Sequence, residues 1–246
     1  MSKIFAANWK LFKSPKETRQ FFSDWKIQTG NSLTSEVIFF PPTTNLEAIA
    51  QSLENTSGVS WGAQNCYSEI KGAFTGEVSA SVLKEMGARY VLLGHSERRS
   101  LFQESDAIIA KKIALVQSLD LVPIACIGES LSERQAGKTI QVLKSQIEKS
   151  LSLVDLKKNL VIAYEPVWAI GTGQVATAAQ VQETHLEIQK ITSMMGFTQK
   201  IPLLYGGSVK PENSKELISL PHVDGFLVGG ASLEVSSFLQ ICKSAE

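Results

Sequence analysis

Eight short apolar runs recur along the chain, and a longer amphipathic or polar stretch follows each of them. Apolar runs of this length, bounded by turn residues, are typical of parallel strands that are buried on both faces. The predicted strands cover residues 4–7, 37–40, 59–63, 90–93, 121–127, 160–164, 201–205 and 226–228. Eight strand–helix units with no linker between them predict an α/β fold, a single (β/α)8 barrel domain over residues 1–246.

The main alternative is an open, doubly wound sheet. Such sheets commonly carry a GxGxxG turn after a strand, and no predicted strand is followed by one. The missing motif weakens this alternative, although nucleotide-binding folds with few glycines also exist.

Several helix starts are marked by capping residues. Capping boxes are predicted at Ser14 with Glu17, at Thr44 with Glu47, and at Ser130 with Glu133. A long helix is predicted over residues 178–195, with Thr177 as its cap.

The charge balance excludes several classes of partner. The chain has 24 basic and 24 acidic side chains, and therefore no basic excess that would favour nucleic acid or an anionic membrane. Cys66, Cys126 and Cys242 are widely spaced and form no CxxC pair, so neither a disulfide framework nor a zinc site is predicted. With no leader-like or membrane-spanning apolar run, a cytoplasmic location is expected.

The most informative segment surrounds Glu165. It reads as the end of a buried strand, then a carboxylate, then a loop over residues 166–173 that begins with Pro166 and contains Gly171 and Gly173. This order suits a general base that works beneath a mobile lid. A solvated glutamate at a strand end is the ordinary alternative for any lone Glu.

Two further chemical groups follow other predicted strands. In a (β/α)8 barrel the chemistry lies where the strands end, and Lys10 follows the first strand while His95 follows the fourth. A lone lysine is often a surface residue, and a lone histidine is more often structural than catalytic. A cation, an imidazole and a carboxylate at one barrel mouth favour a catalytic site instead.

Glycine pairs follow the last two predicted strands. Gly206, Gly207 and Ser208 come after the seventh strand, and Gly229 with Gly230 come after the eighth. Barrels often hold phosphate at these loops, because glycine lets backbone N–H groups approach an anion closely. The sequence therefore predicts a phosphate ester as ligand, although paired glycines alone are a weak signal.

Long segments of the chain match the motifs of one enzyme family. They cover residues 8–10, 72–77, 94–99, 126–129, 164–173, 205–209 and 227–233. Because several are near-unique, the chain resembles the triosephosphate isomerases along its whole length. The resemblance implies a TIM barrel that interconverts dihydroxyacetone phosphate and D-glyceraldehyde 3-phosphate through an enediolate, in glycolysis or gluconeogenesis.

The resemblance also implies a role for each group at the mouth. Glu165 would move a proton between the two substrate carbons, His95 would polarise the carbonyl and shuttle protons between oxygens, and Lys10 would stabilise the negative charge. The implied substrate-binding residues are Asn8, Lys10, Gly171, Ser208, Gly229 and Gly230. Glu97 would support Lys10. No cofactor and no metal is expected, because a proton moves without net electron transfer.

By the same resemblance the protein is a homodimer. The long loop over residues 64–77 would project into a second subunit, with Thr75 at the contact. Two positions depart from the family pattern: Phe12 stands where Asn is common, and Gln189 stands where Arg is common. The second departure predicts the loss of an ion pair with Asp224.

Two other functions remain to be weighed. An aldolase that forms a Schiff base needs a buried lysine on an inner strand, and Lys10 is the lone strand-end lysine that the sequence assigns. A non-catalytic binding protein on the same scaffold would be expected to lack at least one of Lys10, His95 and Glu165, and all three are present.

Overall fold

The computed structural model describes residues 2–29, 33–54 and 56–246. Within these ranges, eight parallel strands close into a barrel in sequence order. The strands are β1 Ile4–Asn8, β2 Glu36–Phe40, β3 Val59–Ala63, β4 Tyr90–Leu93, β5 Val122–Ile127, β6 Val161–Tyr164, β7 Leu203–Tyr205 and β8 Gly225–Val228. The (β/α)8 prediction is confirmed and the open sheet is wrong, because β8 pairs with β1 and leaves no edge.

Helices surround the barrel and connect its strands. They are α1 Pro15–Thr29, α2 Leu46–Leu53, α3 Ala80–Glu85, α4 Ser96–Leu101, α5 Asp106–Ser118, α6 Leu131–Gln135, α7 Thr139–Ser150, α8 Ala178–Ser193, α9 Pro211–Ser219 and α10 Val235–Lys243. Short 3-10 helices cover Thr43–Asn45, Val167–Ala169 and Gly230–Ser232.

The strands bury both of their faces, as the continuous apolar runs predict. Ile4 and Ala6 of β1 point into the barrel, where they join a small apolar cluster with residues of most other strands. Phe5 and Ala7 point outward into the larger cluster between strands and helices. This alternation follows from the two-residue period of a strand.

Barrel closure depends on one glycine that the sequence analysis did not single out. Gly225 of β8 pairs with Ile4 of β1. A Cβ atom at position 225 would lie 1.8 Å from the carbonyl oxygen of Ile4. Only glycine permits this approach, so any side chain there would push the first and last strands apart.

Two of the three predicted capping boxes are present. Ser14 and Glu17 exchange hydrogen bonds at the start of α1, and Ser130 with Glu133 do the same at α6. The prediction at Thr44 is wrong, because residues 43–45 form a 3-10 turn and α2 begins at Leu46. Thr44 donates to the side chain of Asn45 instead.

The long helix α8 has the predicted cap. The Thr177 hydroxyl accepts from the Gln180 backbone, and the Gln180 side chain accepts from the Thr177 backbone. The helix ends at Ser193, two residues before the predicted end.

Asp224 has a cationic partner even though position 189 is Gln and not Arg. The Lys200 ammonium pairs with its carboxylate, and the backbone N–H of Leu203 donates to the other oxygen at 3.0 Å. The ion pair between positions 189 and 224 is absent, as predicted, but Lys200 from another segment supplies Asp224 with a cation that the sequence did not indicate.

His185 of α8 is a buried structural histidine. Its Nδ1 atom lies 2.9 Å from the carbonyl oxygen of His222, which accepts the N–H of the neutral ring. Its Nε2 atom is buried and has no hydrogen-bond partner within the described residues. Burial lowers the pKa of His185 to about 4, since a second N–H would have no acceptor.

Acid should therefore destabilise the fold through His185. Between the ordinary histidine pKa of about 6.5 and a folded-state pKa of about 4, the unfolded chain binds a proton that the folded chain does not. The free energy of unfolding must fall as the pH drops through this window, by about 2 kcal/mol between pH 7 and pH 5. Urea unfolding at both pH values, at one protein concentration, measures the loss. His185→Gln should remove that share of the pH dependence, and an equal slope in both proteins would contradict the assignment.

Candidate active site

One cavity lies at the carboxyl ends of the strands, and it contains almost every predicted site residue. Its volume is about 740 Å³. The predicted residues that line it are Asn8, Lys10, His95, Glu165, Gly171, Ser208, Gly229 and Gly230. Glu97 does not line the cavity itself but forms an ion pair with Lys10, which does. Thr75 lies in an exposed loop and does not line the cavity.

Lys10 is held by its neighbours in an unusual backbone conformation. Its φ angle is 50°, in the left-handed region that non-glycine residues rarely adopt. The Asn8 side-chain oxygen accepts the Lys10 N–H at 3.0 Å, and the Gln64 amide donates to the Lys10 carbonyl at 2.8 Å. These two bonds hold the turn that directs Lys10 into the cavity.

The preceding residue anchors the same turn in the core. Trp9 is fully buried, and its indole N–H donates to the carbonyl of Ser232 at 3.2 Å. Trp9 also packs edge-on against Phe21 of α1 and Phe39 of β2. The turn after β1 is therefore tied to the loop after β8.

The Lys10 ammonium forms an ion pair at the cavity wall. Its Nζ atom lies 2.6 Å from Oε1 of Glu97. The two side chains retain 24% and 44% of their exposure, so water screens this pair and it contributes little to stability. Its effect is to fix the direction of the ammonium group.

Glu165 and His95 lie side by side with almost no exposure to solvent. His95 Nε2 is 2.9 Å from Oε1 of Glu165, and the backbone N–H of Ser96 donates to Oε2 at 3.0 Å. The backbone N–H of Glu97 donates to Nδ1 of His95 at 3.2 Å. Since Nδ1 accepts, the neutral ring carries its proton on Nε2, as this hydrogen-bond network assigns it.

The two buried groups shift each other's pKa in opposite directions. Burial favours the neutral carboxyl, but His95, the Ser96 N–H and Lys10 outweigh it and hold the pKa of Glu165 below its usual value. Burial also lowers the pKa of His95, and the Glu165 carboxylate more than offsets this and raises it. Glu165 is thus ionised at neutral pH, the state that a base requires.

Close backbone approaches set the position of Glu165. Its N–H donates to the carbonyl of Ile127 at 2.7 Å. A Cβ atom on Gly128 would lie 1.8 Å from the Glu165 carbonyl oxygen, so only glycine fits beside it. Gln146 of α7 holds Gly128 by bonding both its N–H and its C=O. Gly128 directly follows β5 and lies within the matched motif 126–129, but no role was assigned to it, and Gln146 on α7 gave no signal in the sequence.

Glu129 anchors the start of the loop that follows Glu165. Its side chain is fully buried, and Oε1 accepts from the Trp168 indole at 2.9 Å and from the Tyr164 hydroxyl at 3.2 Å. Arg134 completes the cluster at 3.0 Å and lies over the Trp168 ring. The first turn of the loop is therefore fixed to the barrel.

The middle of the same loop is exposed and has few contacts. Gly171 and Gly173 have φ angles of 67° and 80°, which favour glycine, and a Cβ atom on either would meet no neighbour within 4 Å. The Ser208 hydroxyl donates to the carbonyl of Ala169 at 2.6 Å, and so ties the loop to the segment after β7. A segment that is fixed at its base and free at its tip has the construction of a lid.

The glycine loops after β7 and β8 face the cavity with open backbone. No atom lies within 4 Å of where a Cβ of Gly230 would stand, and a Cβ of Gly229 would only touch Cε of Lys10 at 3.6 Å. An anion can therefore reach these peptide groups closely, with the Lys10 side chain beside them.

The site does not offer the lysine that an aldolase requires. The eight strands contain no lysine, and Lys10 follows β1 and is paired with Glu97. Among the described residues, no three His, Cys, Asp or Glu side chains are grouped so that they could hold a metal ion. No described helix has the length and apolar character needed to cross a membrane.

Fold and cavity together define a (β/α)8 barrel enzyme whose cavity places a buried carboxylate and imidazole beside glycine loops with open backbone. Comparison with known proteins gives the family. The family model described as triosephosphate isomerase matches residues 3–245. The chain therefore belongs to the triosephosphate isomerase family, whose members are aldose–ketose isomerases, and the resemblance noted in the sequence is confirmed.

Individual members of the family align with this chain over nearly their whole length. Triosephosphate isomerase of Bdellovibrio bacteriovorus is 58% identical over 243 residues, which cover 99% of this chain and 100% of the relative. The protein of the same name from Fusobacterium nucleatum is 44% identical, with 98% of each chain covered. That of Syntrophotalea carbinolica is 45% identical and covers 98% of this chain and 97% of its own.

Proposed function

We propose that this chain interconverts dihydroxyacetone phosphate and D-glyceraldehyde 3-phosphate by proton transfer through an enediolate, with Glu165 as base. The observation that carries the proposal is the buried contact between Glu165 and His95 in the same cavity as Lys10 and the glycine loops. Membership of the family supports the reaction. The roles of individual residues rest on their geometry.

The Glu165 carboxylate takes the proton from the substrate carbon beside the carbonyl. Both of its oxygens accept hydrogen bonds, one from His95 and one from Ser96. Substrate must therefore displace at least one of these bonds before Glu165 can act. The carboxyl group then returns the proton to the neighbouring carbon, which converts ketose to aldose with no net change of electrons.

His95 serves the two substrate oxygens. Its Nε2–H is released when Glu165 turns to the substrate, and it can then donate to the carbonyl oxygen as negative charge develops there. The Glu97 N–H on Nδ1 keeps the other nitrogen as an acceptor. His95 is thereby oriented to pass a proton between the oxygens of the enediolate.

Lys10 and the glycine loops hold the charges of the substrate. The Lys10 ammonium stabilises the enediolate and the phosphate, with Glu97 as the positioning residue that directs it. Asn8 lines the same wall and offers a hydrogen bond to the substrate oxygens. Gly171, Ser208, Gly229 and Gly230 bind the phosphate, mainly through backbone N–H groups.

The reaction itself tests the proposal. Purified protein should convert D-glyceraldehyde 3-phosphate to dihydroxyacetone phosphate. The conversion is measured by coupling it to reduction of the dihydroxyacetone phosphate formed. In D2O the product should carry deuterium on the carbon that receives the proton, because Glu165 exchanges its proton with solvent. Absence of turnover by the folded protein would contradict the proposal, whereas turnover without deuterium uptake would show that the proton on Glu165 does not exchange with solvent. A protein–substrate adduct after borohydride treatment would favour an aldolase instead.

We also propose a homodimer whose contact includes Thr75. The loop over residues 72–77 is exposed, and its Phe74 stacks on Tyr67 at 4.3 Å between ring centres. Leu11 is 93% exposed and Phe102 is 63% exposed. Large exposed apolar side chains in loops at the same end of a barrel favour a protein contact. We also propose a cytoplasmic location, which suits an enzyme of the triosephosphate isomerase family.

A charged side chain at the tip of this loop should separate the subunits. We expect Thr75→Arg to give monomers with weak activity, since a buried guanidinium without a partner costs several kcal/mol. Light scattering coupled to gel filtration measures the mass. Thr198→Arg is the matched control, because Thr198 is exposed in another segment. A fully active dimer of Thr75→Arg would reject the contact.

A further inference from the structure

The cavity extends well beyond the groups that the isomerase reaction needs. Its volume of about 740 Å³ lies in the range of about 300–1,000 Å³ that holds drug-sized ligands. A three-carbon phosphate ester is much smaller than such ligands. The remaining space must therefore lie next to parts of the wall that the substrate does not touch.

We call the part of this cavity that faces α10 the outer lobe. The lining residues that define it are Phe12, Ala231, Ser236, Ser237 and Gln240. Ser236, Ser237 and Gln240 lie on the first turns of α10, which stands outside the strands. The reacting groups lie at the strand ends, so the outer lobe is the part of the cavity on the helix side of the glycines that follow β8.

Phe12 gives the outer lobe an apolar wall. Its backbone N–H donates to the Trp9 carbonyl at 3.1 Å, and this bond fixes the turn that carries the ring. The side chain is nonetheless 54% exposed. Lys13 and Ser236 together line an adjacent cleft, so the turn after β1 lies against the start of α10. The rest of the lobe is small or uncharged.

We propose that the outer lobe is a binding site for the ring of aromatic phosphate monoesters. The phosphate would occupy Gly229 and Gly230, as the proposed function assigns, and the ester group would extend outward against Phe12. Such a ligand would not contact Glu165 or His95, and it has no acidic C–H proton that a base could remove. It would act as a competitive inhibitor of the isomerase and not as a substrate.

The proposal rests on the phosphate site of the proposed function and adds one contact to it. Aromatic rings in offset or edge contact attract each other beyond the effect of the area that they bury. Phenyl phosphate and methyl phosphate share the phosphate and differ in the ring. The ratio of their inhibition constants therefore measures the contribution of the outer lobe to binding, separately from that of the phosphate site.

The experiment measures both constants on the full-length protein, by inhibition of turnover and by calorimetry without substrate. Phenyl phosphate should bind about tenfold more tightly than methyl phosphate, a factor that corresponds to about 1.4 kcal/mol. Phe12→Asn should bring the two constants within about twofold of each other, with methyl phosphate unchanged. Ser237→Leu, which fills the lobe from α10, should remove the preference independently of Phe12.

Leu153→Asn is the matched control. Leu153 is 55% exposed in the connection between α7 and β6, at the opposite end of the barrel, and the substitution should keep the tenfold preference. Equal constants in the natural protein, or an unchanged preference in Phe12→Asn and Ser237→Leu, would overturn the outer lobe alone. If methyl phosphate also failed to bind, the phosphate site would be wrong and the proposed function would fail with it.

Discussion

Glu165→Gln should lower kcat by a factor of about 10²–10⁴, the contribution of a positioned general base. The amide keeps the size of the side chain and its buried place beside His95, but it cannot accept a proton from carbon. Binding of glycerol 3-phosphate, which has the phosphate and lacks the carbonyl, should be retained. Steady-state turnover and calorimetry measure the two effects separately. Exchange of the substrate proton with D2O should be lost together with turnover.

The matched control for this change is Glu212→Gln. Glu212 lies at the start of α9 and lines the same cavity, but it is exposed and contacts none of the reacting groups. The Glu212→Gln variant loses the same charge as Glu165→Gln and should retain near-normal turnover. Near-normal turnover of Glu165→Gln would instead show that another group is the base.

Lys10→Ala should impair both substrate binding and turnover. The ammonium is assigned to the phosphate and to the enediolate, and loss of one such stabilising group lowers kcat by a factor of about 10²–10³. The Michaelis constant should rise as well, since part of the contact exists before the reaction. Glu97 would also lose its partner at 2.6 Å and leave a negative charge at the cavity wall. A decrease in kcat with an unchanged substrate affinity would defeat the double role.

Two further variants separate the causes of that loss. Lys10→Ala combined with Glu97→Ala removes the unpaired carboxylate, and any recovery relative to Lys10→Ala measures its repulsion. Lys210→Ala removes a cation from the rim of the same cavity, where Lys210 lines the wall near α9. If general positive potential were sufficient, Lys210→Ala would impair binding as strongly as Lys10→Ala does. We expect it to have little effect.

The position of the charged residues and of the glycines at the barrel mouth could be predicted from the sequence, whereas their roles stay predictions. Lys10, His95 and Glu165 follow strands β1, β4 and β6, and parallel strands bring their carboxyl ends to one mouth. All three therefore line one cavity, together with the glycines after β7 and β8. Their proximity follows from topology, which the eight apolar runs already indicate.

The residues that hold this site in place were predicted less well. Gly128 lies in the motif 126–129 but received no role, and Gln146 lies in no motif; their importance comes from a close backbone approach and two backbone hydrogen bonds. Asp224 illustrates the same limit, because its cation comes from Lys200 and not from position 189. Thr44 shows it locally, since a competing 3-10 turn replaced the predicted cap.

The sequence by itself determined the barrel, the order of its strands and the identity of the chemical groups at its mouth. Apolar periodicity and position at a strand end can be read from a short stretch of sequence. Their prediction therefore does not require knowledge of how the side chains pack. The tertiary structure alone decided the contact of Glu165 with His95, the tautomer that follows from it, and the outer lobe beyond the glycine loops. These depend on distances of a few ångströms between segments far apart in the chain, and no pattern within one segment carries that information.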